Sequence, residues 1–347
     1  MMIIMKNFEF ITSYKFAKLA DIIYSGVFTD NQISELNISN YIVVEDNHGF
    51  KYIRIKKFEL KENSIIFSRT EDVPSLFYSL KKIDFKNITL ITHQSDINVT
   101  EKFANKIPQC IDRWFSVNVS TINNKLHSIP IGLSNNHPKN LNVRDFDYLQ
   151  TSKIEFFKIK NLKILIYLNF QKSTNFKERE GIYEFFSNKD WAKLELPNND
   201  KENYLKNLKT INFTLTPHGN GRDTHRFWES LYSGSIPVVK DHISYSYAKD
   251  LPVLFVEDYK DVTNKLLKDF LKDSNIKSFN LNKLDFNYWR TQIETNEIFQ
   301  SSSMQININS FNFFIFNLNY KIKHKYNSYR KILIFYFRKI ILFLTSE

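Results

Sequence analysis

Eight short apolar, β-branched runs recur along this chain: NYIVVED (40–46), NSIIFSRT (63–70), NITLITH (87–93), HSIPIGL (127–133), KILIYLNF (163–170), TINFTLTPH (210–218), SIPVVKD (235–241) and LPVLFVED (251–258). Segments with helical spacing lie between many of them, among them TSYKFAKLADIIYSG, NFKEREGIYEFF and DYKDVTNKLLKDFL. A strand that is apolar on both faces must be covered on both faces, which is the situation of a parallel sheet flanked by helices. The expected class is therefore α/β. With 347 residues the chain is long enough for two such blocks. We place a first domain at 1–155, a second at 156–320, and a basic aromatic-aliphatic tail at 321–347.

Composition narrows the classes further. Hydrophobic and charged fractions of 42% and 24% belong to a folded globular chain. The net charge of +11 suggests nucleic acid until it is located. Between Ile298 and Ser346 there is no acidic residue, while Lys321, Lys323, Lys325, Arg330, Lys331, Arg338 and Lys339 are all basic. The excess is mostly a property of the tail, and no nucleic-acid motif accompanies it. The single cysteine, Cys110, has no intramolecular partner, which suits a reducing, cytoplasmic setting. The opening MMIIMKNFEF is too short in apolar residues for a secretory core, and no uncharged apolar stretch approaches the roughly 20 residues of a spanning helix.

Three of the seven glycines fall within TLTPHGNGRDTHRFWESLYSGSIPVV (214–239). TINFTLTPH reads as a strand, HGNGRD as a loop, and THRFWESLYS as a helix ended by Gly234. Gly219 and Gly221 let the backbone turn sharply and approach a ligand, and the helix start behind them favours an anion. The loop is not a Walker motif, lacking Lys-Ser/Thr, and it departs from G-x-G-x-x-G at Thr224. A plain turn explains the glycines equally well. The helix adds His225, Arg226 and Glu229 on one polar stripe. That stripe suits a nucleotide, with Arg for the diphosphate and Glu for ribose hydroxyls, or else carries an exposed Arg226–Glu229 ion pair. His218 and His225 serve either a ligand or local hydrogen bonds.

The stretch PHGNGRDTHRFWESLYSGSIPVV resembles the donor-site signature of exostosin-like glycosyltransferases and their bacterial and viral relatives. The Glu, the Gly five residues on, and the Pro before an apolar strand also resemble the ribose-binding segment of GT-B glycosyltransferases. The resemblance implies a GT-B-like fold of two Rossmann-like domains facing across a cleft. It implies Glu229 on the ribose, Arg226 on the donor phosphates, and Gly219, Asn220 and Gly221 lining the leaving-group pocket. Asp223 would cap the helix or reach the sugar, and His218 departs from the usual residue after the proline. The likeness extends more weakly to residues 12–258, and through it UDP is the favoured base.

Upstream, ITHQSDINVT ends a strand with His93 and Asp96, placed where open α/β sheets bind ligands. Either could take the acceptor hydroxyl's proton; Asp96 could equally belong to a turn before a helix capped by Thr100. Arg179 is a further candidate for the donor phosphate, or part of a solvated helix face. The eight His are dispersed and no H-E-x-x-H occurs, so neither a metal nor another cofactor is expected. The tail either lies on an anionic membrane surface, which would suit a lipid-linked acceptor at the inner face, or packs on the domains. The function expected is glycosyl transfer from a nucleotide sugar to a hydroxyl of a glycan or surface polysaccharide. The rivals are a nucleotide-sugar epimerase of the same architecture and a non-catalytic nucleotide- or glycan-binding module.

Overall fold

The computed structural model describes residues 8–135, 140–146, 162–198, 200–273, 279–294 and 303–308. Two five-stranded sheets form its frame. The first runs in the spatial order Ile22–Ile23, Ile65–Arg69, Ile88–His93, Ile111–Ser116, Leu126–Ser128. The second runs Ala192–Leu194, Ile166–Leu168, Phe213–Leu215, Ile236–Lys240, Leu254–Val256. Every pairing within them is parallel. Ile88–His93 and Phe213–Leu215 are buried at every position, which is why they read as unbroken apolar runs. The α/β class expected from the sequence, with two parallel sheets, is present.

The two sheets are not equivalent. In the second, the order of the first two strands is reversed, creating a switch point between Ile166–Leu168 and Phe213–Leu215. A crevice opens outside the carboxyl ends of strands at such a point. In the first, the strands lie in plain sequence order, without a switch point. NYIVVED does not join either parallel sheet. Tyr41–Asn47 pairs antiparallel with Phe50–Ile55, which pairs on its other side with Ser25–Phe28. The cause is the turn between them, where His48 and Gly49 have φ of 51° and 83°, the twist a two-residue hairpin prefers.

The chain also crosses back on itself. Ser303–Asn307, which the sequence assigned to the second domain, pairs antiparallel with Lys57–Lys61. That strand alternates exposed and buried residues, and the apolar face of Phe58 and Leu60 is covered by Ile306 and Ile308. At the other end, Phe286 N–H donates to Glu9 O at 2.8 Å and Ile11 N–H to the Tyr232 hydroxyl at 3.2 Å. One apolar cluster therefore runs through both halves, joining Phe10 and Phe115 to Tyr232 and Phe286. The expected boundary at 155 and the tail 321–347 lie outside the described residues.

The helix of the glycine motif spans His225–Tyr232. Phe227, Trp228, Leu231 and Tyr232 are buried against the second sheet and its surroundings. It stops as expected at Gly234, whose φ is 73°. Gly234 N–H returns to Leu231 O and Ser235 N–H to Ser230 O, the paired bonds of a left-handed C-terminal cap.

Candidate active site

The loop 216–224 leaves the second sheet at its switch point. Arg179 braces it: Nε donates to His218 O at 2.9 Å, one terminal nitrogen to Pro217 O at 3.0 Å, and the other to Gln171 O at 2.7 Å. Asn175 Nδ2 holds Gly219 O at 2.7 Å. Arg179 is thus not part of a solvated helix face but a buried anchor of the loop that also lines the cavity over it. Burial, and then the Arg226 charge beside it, lower its pKa to about 10, so it stays a cation at neutral pH.

The two loop glycines have different physical reasons. A Cβ on Gly221 would stand 2.7 Å from Asn118 Nδ2. Asn118 holds its place by donating to Ser95 O and accepting from the Arg222 and Asp223 N–H groups. Gly221 is therefore a packing glycine, pressed by the first half of the chain. A Cβ on Gly219 would meet Arg179 only at 3.5 Å, an ordinary contact, and would face a cavity that the residue lines. Both glycines line that cavity, but only at Gly219 does a Cβ find room.

The helix start is left open. Thr224 forms no side-chain cap, and its hydroxyl is buried without a partner. Arg226 Nε is likewise buried and unpaired. Glu229 is 4% exposed, so it is not half of a surface ion pair; its Oε2 accepts from the Tyr204 hydroxyl at 2.8 Å. Burial raises its pKa, opposed chiefly by Arg226. Asn220 is exposed at the loop tip and lines the same cavity.

His218 and Asp223 are turned into the structure. His218 is stacked on Tyr245, with Nδ1 3.0 Å from an Arg222 nitrogen, which fixes Nδ1 as the acceptor. Burial, then the Arg222 charge, pull its pKa down to about 3. Asp223 Oδ2 accepts from Ile131 N–H, the Tyr247 hydroxyl and Trp228 Nε1 at 2.8, 2.7 and 3.2 Å. Its Oδ1 is buried and unpaired, and burial lifts its pKa to about 6. Asp223 does not cap the helix; it ties the loop to the first half.

A cavity of about 680 Å³ lies over this loop and helix, lined by Gly219, Asn220, Arg179, Arg226, Glu229 and Asn169 among others. A second cavity, of about 850 Å³, opens on the first half. Its wall comes from the antiparallel insert, with Asn47 and Tyr52, and from Arg69, Glu71 and Gln94. The Arg69 guanidinium lies 4.4 Å from the Tyr52 ring centre and donates to Glu71 Oε1 at 3.1 Å. A buried Arg54–Asp72 pair supports Tyr52 from below. The two cavities meet at Asp96, Ile131 and His225, which line both.

The two expected bases differ in state. His93 is 1% exposed, its Nε2 lies 3.2 Å from Pro130 O, and its Nδ1 accepts from Gln94 N–H at 2.8 Å. A carbonyl can only accept, so Nε2 carries the proton and both nitrogens are spent. Burial holds its pKa near 3. His93 therefore has no lone pair for an acceptor proton. Asp96 is exposed at the junction of the cavities.

Sequence reasoning missed Asn118, Tyr204, Arg222 and the cluster of Tyr52, Arg69 and Glu71. Asn118 carried a signal, since WFSVNVS breaks an apolar strand with one amide, and Arg222 sits inside the glycine loop itself; the rest sit in ordinary-looking segments. Among the described residues, no group of three or more His, Cys, Asp and Glu is placed to hold a metal ion, and no helix is long and apolar enough to cross a membrane.

Residues 175–284 match the family model of the RXYLT1 C-terminal domain, a span that holds Arg179 and the motif from His218 to Glu229. No curated protein matches the sequence. Among solved structures, the chain is similar to one described as the glycotransferase of kitacinnamycin, at 11% identity and a TM-score of 0.32, over 66% of this chain and 71% of that one.

Proposed function

We propose that this chain, a glycosyltransferase of the exostosin-like kind by the match over its donor segment, moves a sugar from a nucleoside diphosphate to a hydroxyl of a glycan. One observation carries the proposal: a single cavity at the switch point collects an uncapped helix start, the unpaired Arg226 Nε and the Glu229 carboxylate. A diphosphate beside Arg226 and the helix start would satisfy the orphan donors. A ribose at Glu229 would find an acceptor already oriented by Tyr204. Charge developing on the departing diphosphate would be met by two guanidinium groups in a protected site, without a metal. UDP remains the favoured nucleotide by family likeness.

The second cavity supports transfer over epimerisation, because an epimerase needs no room for a second substrate. In this reading it receives the acceptor, with Asp96 hydrogen-bonding the hydroxyl near the junction.

The test is binding and nucleotide release with UDP-, GDP-, CMP- and dTDP-sugars, with and without EDTA. Glu229→Gln keeps an amide oxygen for Tyr204 and removes the charge, and should weaken binding of the cognate nucleotide sugar about 10- to 100-fold. Unchanged binding in that variant would sink the ribose assignment. Activity lost in EDTA and restored by Mg²⁺ or Mn²⁺ would sink the metal-free mechanism.

A further inference from the structure

Resting on the transferase reading, we infer that His225, rather than either upstream candidate, takes the proton of the acceptor hydroxyl. His225 is the first residue of the eight-residue helix that carries Arg226 and Glu229, and it lines both cavities where they meet. Its orientation is fixed from the first half of the chain. Nδ1 lies 2.8 Å from Gly132 O, and a carbonyl can only accept, so Nδ1 carries the proton and Nε2 keeps its lone pair.

The carbonyl that locks this tautomer is itself immobile. Gly132 has φ of 69°, and a Cβ there would stand 2.3 Å from Ile11 O, so the backbone is pinned in a conformation reserved for glycine. Leu133 N–H donates to Ile11 O at 2.8 Å and closes the same contact. A base needs both a free lone pair and a held ring. His93 lacks the first, and Asp96, with no hydrogen bond among the described residues to orient it, lacks the second. The charged and titratable groups around His225 are His93 on its strand, Asp96 beyond it, Asp223 on the donor loop, and Arg226 and Glu229 on its own helix.

In the step itself, Nε2 takes the acceptor proton while the hydroxyl oxygen's electron pair forms the bond to the anomeric carbon. The bond from that carbon to the phosphate oxygen breaks, and its electron pair leaves on the diphosphate. The imidazolium then returns its proton to water as products depart.

The experiment follows nucleotide release from the UDP-sugar that the full-length chain turns over, with p-nitrophenyl glycosides as hydroxyl acceptors. His225→Asn retains an amide N–H for the Gly132 carbonyl but offers no ring nitrogen. It should lower kcat about 10²- to 10⁴-fold, with nucleotide-sugar binding unchanged within about threefold. His225→Ala should be partly rescued by added imidazole, which a merely structural loss would not be. Full kcat in His225→Asn, or a defect confined to donor binding, would overturn the inference while leaving the transferase reading intact. Loss of nucleotide-sugar binding and turnover by the unaltered chain would overturn that reading first.

Discussion

The two loop glycines allow ligand contact and packing to be separated by one methyl group each. In Gly219→Ala the new Cβ meets Arg179 at 3.5 Å and Thr224 at 3.7 Å, both ordinary contacts, on a backbone outside the left-handed region. Folding should be unharmed, and the lower entropy of the unfolded chain should add up to about 1 kcal/mol of stability. The methyl would stand in the donor cavity, however, and binding of the cognate nucleotide sugar should weaken at least tenfold, about 1.4 kcal/mol. In Gly221→Ala the Cβ stands 2.7 Å from Asn118 Nδ2 and 3.0 Å from Oδ1. Asn118 cannot yield without stretching its bonds to Ser95, Arg222 and Asp223. Stability should fall by about 1–3 kcal/mol. Urea unfolding followed by tryptophan fluorescence, beside titration with the nucleotide sugar, reads both quantities. Donor affinity retained in Gly219→Ala, or a loss of stability there equal to that of Gly221→Ala, would refute the distinction.

Two further outcomes follow from the same site. Folded-state pKa values near 3 for His93 and His218, against an ordinary 6.5, mean that the unfolded chain takes up protons the folded chain refuses. Their contribution is complete above 6.5 and is lost as pH falls toward 3. Between pH 7 and 5 each should cost about 2 kcal/mol, while Asp223, raised to about 6, returns about 1 kcal/mol. His93→Gln should flatten this slope by about 2 kcal/mol in urea titrations at the two pH values, and an unchanged slope would contradict it. Arg179→Lys replaces a planar fork that reaches three carbonyls with a point charge, and should lower stability by about 2–4 kcal/mol; an unfolding midpoint equal to that of the parent would show that the brace is dispensable.

What the sequence made legible was whatever repeats along one element. Strands buried on both faces announced themselves as unbroken apolar runs, and the helix of the donor motif was readable to its terminal Gly234. What it concealed was contact between distant segments. Gly221 lines the cavity as expected, but nothing local told that Asn118 is pressed against it. For Arg226 and Glu229, three residues apart, the spacing alone left an exposed ion pair open as an alternative; the burial of Glu229 and its bond to Tyr204 remove it. NYIVVED looked like a buried parallel strand because its composition fits one, and the His48-Gly49 turn that redirects it lies just beyond the run. Similarly, no local pattern tells that the Pro130 carbonyl occupies His93 while the Gly132 carbonyl two residues on leaves His225 Nε2 open.

The late return of Ser303–Asn307 to Lys57–Lys61 sets a schedule for synthesis. A ribosome adding about 5–20 residues per second needs roughly 10–50 s to deliver the partner after Lys61 has been made. For that interval the segment KFELK stands without its partner strand on the nascent chain. Its outward residues are Lys57, Glu59 and Lys61, charges that discourage a neighbouring chain from pairing there. The alternation that gives the strand one apolar face in the finished protein thus also guards the growing polypeptide against strand exchange on the polysome.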